Sequence, residues 1–390
     1  MFMVNLQSAE NALKSYYLDA IKDSLDQKTS PFLAKIEHST ADVYGKDVKK
    51  LIRLGFNGGV MAGTETGDLP KADGTNYLQM TATLKNLYGT IEISDKAIRA
   101  AMSNEGAFVN LLNEEMTHLL NGAKYNFNRM LMGEGKGSLA VYMSPEGNSM
   151  FVNNVSKLQV GMYVRLCDDS YDPVEPDDVV RKITNVDKSA SSVTVSGPAF
   201  ASDIVNDGYL VVASQEDELT GLKALFEKNS VYGLTEEEYA KVKPYEINID
   251  ADFDELSLQT LIDNIEEETN ATPNLIICSY GVRRAILNYY KEKGVTMDSH
   301  EIEGGFTALN FNGIPIVADR FCDKGVLYVI NTNDFKLCQL CDWQWMENED
   351  GKILHQVPGK PVYTATLVKY AELLCERPQG QGRMIGIYEA

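Results

Sequence analysis

Basic side chains are scarce in this 390-residue sequence: 36 Lys and Arg stand against 56 Asp and Glu, for a formal net charge of −20. Tight binding to nucleic acid needs a basic face that neutralises phosphates, so this balance argues against such a grip as the organising function. Long apolar runs are missing too. Tyr209 to Ala213 and Leu275 to Cys278 are among the longest, against roughly 18 residues for a membrane span. Met1 to Glu10 has no basic stretch followed by an apolar one, so no secretory signal is expected. Six cysteines are too few for a disulfide framework in a chain this long, and without export the thiols are expected to be reduced. The sequons at Asn154 and Asn270 then carry no meaning, and synthesis in a cytoplasm is the expectation.

Chemical motifs are equally thin. The four histidines, His38, His118, His300 and His355, are scattered, with no helical pair to hold a metal. His118 falls beside apolar Leu119 and is expected to be a structural histidine. Cys338 and Cys341 form a C-x-x-C, but further zinc ligands at matched spacing are lacking and the pair lies in β-type sequence, so packing is the expected role. Ser279 stands at a strand-to-helix turn resembling a hydrolase nucleophile elbow, yet the first glycine of that motif is absent; it is expected to cap the following helix. Asp250, Asp252 and Asp254 imitate the start of a calcium loop, but Glu255 and Leu261 stand where that loop needs Gly and Glu. Gly133, Gly135 and Gly137 follow a helix rather than precede one, so they end it and cradle no phosphate. No catalytic residue, cofactor or metal is expected.

What is present is ordinary for a folded protein: 44% hydrophobic and 24% charged residues. The length exceeds the roughly 250 to 300 residues at which single cores stop growing, so two or three packed units are expected. Residues 1–54 read as an arm, with Ser8 capping a helix whose apolar positions include Leu13, Tyr16, Tyr17, Ala20 and Ile21. Residues 55–85 read as a long β-hairpin with its tip at 63–76, which includes Gly67, Asp68, Leu69 and Pro70, followed by Tyr77 and Leu78. A two-stranded ribbon is marginal alone in water, so this one needs a surface to lie on. Residues 86–139 contain the clearest helix, Glu105 to Met132, about 42 Å long at about 1.5 Å per residue. Short β-type runs mark 140–215 as an inserted small barrel or sandwich. A linker and strand fill 216–252, an α/β unit 253–341 and returning β sequence 342–390.

That order resembles the major capsid proteins of tailed bacteriophages, the Hong Kong 97 phage-type fold of class α+β. The likeness is carried by GTETGDLPKADGTN and LKNLYGTIEIS at 63–76 and 84–94, the helix at 105–132, LTGLKAL and VYGL at 219–225 and 231–234, and PNLIICSYGVRRAI in the α/β unit. The resemblance implies an arm, an extended loop, a peripheral domain with a spine helix, and an axial α/β domain with the β-rich insertion. It further implies pentamers and hexamers closing into an icosahedral shell around double-stranded DNA, in a virion assembled in a bacterial cytoplasm. Gly67, Asp68, Leu69, Pro70, Tyr77, Leu78, Leu13, Tyr16 and Tyr17 are then expected at subunit interfaces. The other implied partners are a separate scaffolding protein, since only about 54 residues precede the hairpin, a portal protein, and where present a decoration protein. No membrane is involved. Lys85 ends the hairpin near a position where some relatives carry a cross-linking lysine, but with no acceptor visible it is taken as an ordinary surface lysine. An encapsulin-like nanocompartment is the near alternative, and a cytosolic thiol redox enzyme using Cys338 and Cys341 the distant one. Residues 1–53 hold eight basic and seven acidic side chains, so the arm is expected against acidic neighbours or the lumen. Self-repulsion elsewhere should make assembly salt-sensitive.

Overall fold

The computed structural model describes residues 30–55, 57–68, 71, 74, 76–96, 105–174, 179–200, 208–213, 218–294, 299–302, 306–347, 351 and 353–390. The expected arm helix, with Leu13, Tyr16 and Tyr17, and the tip residues Leu69 and Pro70 lie outside the described residues.

In chain order the first strands are β1 (Glu37–Ser39), β2 (Asp47–Leu54), β3 (Asn76–Thr83) and β4 (Lys85–Ser94), followed by helix α1 (Glu105–Met132). Then come β5 (Ser138–Glu146), β6 (Ser149–Val152), β7 (Tyr163–Cys167), β8 (Arg181–Asp187), β9 (Ser192–Val195) and β10 (Tyr209–Val212). Helices α2 (Leu222–Glu227) and α3 (Glu236–Ala240) lead to β11 (Tyr245–Ala251), α4 (Glu255–Thr269), β12 (Leu275–Cys278) and α5 (Tyr280–Glu292). The chain continues through β13 (Ser299–Ile302), β14 (Phe306–Phe311), β15 (Ile314–Ala318), β16 (Leu327–Ile330), β17 (Phe335–Trp345), β18 (His355–Gln356), β19 (Val362–Cys375) and β20 (Gly382–Ile387).

The return sheet is organised by β19, which pairs antiparallel with β4 along one side and with β17 and β18 along the other. Helix α1 lies on this sheet through Met116, Leu120, Phe127 and Leu131, all buried. Gly89 of β4 is a point of close approach: a Cβ there would sit 3.0 Å from the Leu119 side chain. Gly133 donates to the Met130 carbonyl at the end of the helix, and Gly135 and Gly137 take positive φ, which a side chain would strain.

The second sheet has seven strands in the order β11-β20-β16-β12-β15-β14-β13. Its strands β12 and β16 are buried throughout, as their unbroken apolar runs LIIC and LYVI dictate. One face, with Ile276, Cys278, Leu327 and Val329, is covered by α4 and α5. The other face, with Leu275, Ile277, Tyr328 and Ile330, merges into the core beneath the return sheet. This sheet corrects two expected boundaries. Residues 335–345 form one long strand of the return sheet rather than ending the α/β unit at 341, because β17 pairs along β19. Strand β20 leaves the returning segment to lie between β11 and β16, and β11, expected in a peripheral strand within 216–252, joins the α/β sheet beside it.

Strands β5 to β10 close a six-stranded barrel in the order β10-β5-β6-β9-β8-β7, with β10 pairing back to β7. Its core is separate from the rest and includes Tyr142, Met150, Val164, Leu166, Val193 and Leu210. The chain enters and leaves at one point, where the Val212 N–H donates to the Gly137 carbonyl at 3.0 Å. The barrel docks through Lys157, whose Nζ lies 2.6 Å from Asp323, and through Tyr125 of α1, whose hydroxyl donates to the Ser156 carbonyl at 3.2 Å. Asp323 is also 3.1 Å from Lys223; burial pushes its carboxyl up, but the two lysines overcome that and hold it down at about 2.

Candidate subunit-contact surface

Strands β2 and β3 form a ribbon of their own, with Val48 opposite Ala82, Ile52 opposite Leu78, Leu51 opposite Gln79 and Arg53 opposite Tyr77. The arm-to-hairpin boundary expected at 54/55 is therefore too late. The alternation of DVKKLIRL at 47–54 is that of a half-buried strand, and it supplies one side of the ribbon.

Period-two alternation gives the ribbon two unlike faces. The inner face carries Val48, Met80 and Ala82, all buried in the main core, with Ile52, Leu54 and Leu78 packed against it. The outer face carries Lys49, Leu51, Arg53, Tyr77 and Gln79, all exposed; Leu51 is 61% and Tyr77 60% accessible. Leu78, expected beside Tyr77 at an interface, thus turns to the chain's own core: neighbouring residues on a strand point opposite ways. The loop beyond adds Val60 and Met61, 75% and 64% accessible, and Gly67 and Asp68 are exposed at the turn where the Gly67 N–H donates to the Thr64 carbonyl.

The root of the ribbon is held within the chain. The Thr81 N–H donates to the Tyr232 carbonyl at 2.8 Å, and the Leu84 N–H to the Lys46 carbonyl at 2.9 Å. Lys50 Nζ lies 2.7 Å from Glu376, and Lys336 ties the same carboxylate to Glu37 of β1. Support wholly from a neighbour is therefore not required; only the outer face and the tip lack cover from this chain among the described residues.

The interior of the main unit also holds charge. Arg129 of α1 and Glu218, each 2% accessible, make a bidentate pair, with Arg129 Nη1 donating to Glu218 Oε2 at 2.9 Å. Glu372 of β19 accepts from the Thr220 N–H at 2.7 Å and the Leu373 N–H at 3.0 Å. Burial pushes its carboxyl up to about 7, against the opposing pull of those N–H groups and of Lys85 and Lys228. Lys85, expected as an ordinary surface lysine, is half-buried.

The other sequence motifs resolve into structure. Ser279 caps α5, accepting from the Val282 N–H at 3.1 Å and donating to Glu389. Asp254 caps α4 through the Ser257 N–H. All six cysteines are free thiols, and Cys338 sits buried in mid-strand, where burial with nearby Asp42 and Glu376 pushes it up to about 11. That burial shields the thiol from solvent and favours its neutral form. His118 is exposed on α1 rather than packed, because the apolar stripe runs through Met116 and Leu120 and turns position 118 outward. Among the described residues no group of His, Cys, Asp and Glu could hold a metal ion, and no helix is long and apolar enough to cross a membrane.

No protein-family model and no curated protein matches the sequence. Solved structures do. A chain of the cyanophage A-1(L) capsid asymmetric unit superposes with a TM-score of 0.57 at 8% identity, covering 93% of each chain. A chain of the capsid of a native GTA particle gives 0.48 at 9% identity over 91% of this chain and 90% of that one. The holo-SrpI encapsulin complex from Synechococcus elongatus PCC 7942 gives 0.44 at 10% identity over 92% and 88%. The first of these carries the assignment: the chain has the Hong Kong 97 phage-type capsid fold, of class α+β.

Proposed function

We propose that the chain is a major capsid protein whose copies assemble as pentamers and hexamers into an icosahedral shell enclosing double-stranded phage DNA. The observation that carries this is the fold shared with a cyanophage A-1(L) capsid chain across 93% of both molecules. The ribbon supplies the matching physics. Its outer face sets Leu51 and Tyr77 among Lys49 and Arg53, an exposed apolar centre with a basic margin. Covering that face with a neighbouring copy removes apolar surface from water and meets an otherwise acidic molecule with cations. Gly67, Asp68, Leu69, Pro70 and Tyr77 are assigned to that contact, and Leu13, Tyr16 and Tyr17 to an arm laid along another neighbour. The α/β unit would stand at the ring axis and the return sheet with α1 at the periphery. A separate scaffolding protein and a portal protein complete the assembly, and the interior contacts DNA without reading its sequence, as a net charge of −20 allows.

Electron microscopy of the purified protein tests the reading. Closed shells holding DNA support it; shells filled with protein cargo would instead make it a nanocompartment; a compact monomer at every concentration and salt would overturn both. Deleting 63–76 should abolish shells while leaving the barrel and the α/β unit folded.

A further inference from the structure

Helices α4 and α5 lie side by side on one face of the seven-stranded sheet. Their inner residues, Leu258, Leu261 and Ile265 on α4 and Val282, Ile286 and Tyr290 on α5, share one core. The two sit over different strands: α4 packs on β11 and β20 at one edge, α5 on β15 beyond the middle. With the inner positions occupied, each helix turns a stripe at i, i+4, i+7 and i+11 to solvent. On α4 the stripe is Leu256, Thr260, Asp263 and Glu267, and on α5 it is Tyr280, Arg284, Leu287 and Lys291, all exposed.

The stripes differ in sign. Asp254 to Thr269 contains six carboxylates and no Lys or Arg, whereas Tyr280 to Lys293 contains four basic residues and one acidic one. Some of these charges are tied down locally: Gln259 donates to Asp263, Lys293 donates to the Tyr289 hydroxyl, and Arg284 Nε donates to the Ala390 carbonyl. Glu266, Glu267 and Lys291 make no ion pair among the described residues, although all three are exposed. Each stripe also carries bare apolar surface, with Leu256 72%, Tyr280 47% and Leu287 42% accessible.

We propose that the acidic face of α4 in one copy docks on the basic face of α5 in the next. The occupant is a second copy of this chain, because this chain carries both complementary faces and holds them over different strands of one sheet. A contact between two different patches is heterologous, so its repetition runs head to tail and closes a ring when the rotation permits. Opposite charges steer the approach and reject the α4-on-α4 alternative, while Leu256, Tyr280 and Leu287 supply the apolar centre. The inference rests on the capsid reading only in requiring that copies form rings.

Charge reversal tests it. Asp263→Lys with Glu267→Lys, or Arg284→Glu with Lys291→Glu, should each raise the concentration needed for ring assembly by about tenfold or more, since like charges then face each other. The variant carrying all four changes restores opposite signs and should regain assembly. Normal assembly of either double variant would overturn the proposal, as would failure of a four-fold variant whose circular dichroism and melting match the parent. A second measurement needs no variant. Carbodiimide treatment of assemblies made from mixed isotope-labelled and unlabelled copies should join Asp263, Glu266 or Glu267 of one copy to Lys291 of another; assemblies yielding no such inter-copy link overturn it. Shell formation by the unaltered chain is scored separately, so failure of the capsid reading is distinguishable from failure of this contact.

Discussion

The barrel and the ribbon are both antiparallel β-structure, yet they bury their apolar residues in opposite ways. The barrel closes β10 onto β7, has no free edge, and encloses Tyr142, Met150, Val164 and Leu166 in a core of its own. The ribbon has two strands and no core. It lends Val48, Met80 and Ala82 to the interior beneath the return sheet and leaves Leu51 and Tyr77 bare. Closure makes one region self-sufficient, and openness leaves the other with an uncovered apolar face.

The largest expected effect strikes the buried ion pair between α1 and Glu218. Arg129→Met leaves Glu218 buried without its cation, which costs about 3–5 kcal/mol. Chemical denaturation should show the main transition moving to lower denaturant. Next come paired truncations, Met80→Ala at the ribbon root and Leu166→Ala in the barrel, each costing about 2–5 kcal/mol. Hydrogen exchange should assign the first loss to the main core and the second to the barrel; a single shared loss would break the comparison.

A smaller effect is set by pH. The Glu372 carboxyl rises from 4.5 to about 7 in the folded chain, so the neutral acid is the form the fold favours. That contribution is fully present below 4.5 and is lost as pH rises through about 7. Melting temperature should therefore fall across this window for the main unit, and Glu372→Gln, whose Oε1 can still accept from Thr220 and Leu373, should flatten the fall. The barrel, which does not contain Glu372, should lack this component. Thr235→Ala removes the capping box of α3, next to the loop that receives Thr81, and should cost about 1 kcal/mol. Smallest for stability are Leu51→Ala and Tyr77→Ala, within about 0.5 kcal/mol as exposed changes. Their effect belongs to assembly, measured by sedimentation, and loss of stability instead would reverse the meaning given to the outer face.

Much of this was legible in the residue pattern. The 105–132 helix announced itself by its apolar stripe and glycine stop, the barrel by short runs between turns within 140–215, and Ser279 by its cap position. Order and local period are what a sequence records directly. Strand partnership is not: β20 and β11 read as ordinary β sequence, and only long-range pairing places them side by side in the α/β sheet. The exposed face of the ribbon was half legible. Tyr77 stood out beside its loop, but Leu51 and Arg53 were hidden in a stretch assigned to the arm, although the alternation of DVKKLIRL could have exposed them. Leu78 shows the cost of naming a pair of neighbours where the pleat separates them.

The hydrogen bond from Val212 to Gly137 has a consequence for how this molecule tolerates change. A segment whose two ends meet imposes no span on the structure it interrupts, so its length is nearly irrelevant to the helix before it and the linker after it. Loop-closure entropy grows only about 0.6 kcal/mol per doubling of length, a weak constraint on what occupies the gap. The junction is thus a socket, in which a short turn or a foreign domain with adjoining termini could replace the barrel while the rest of the chain kept its register.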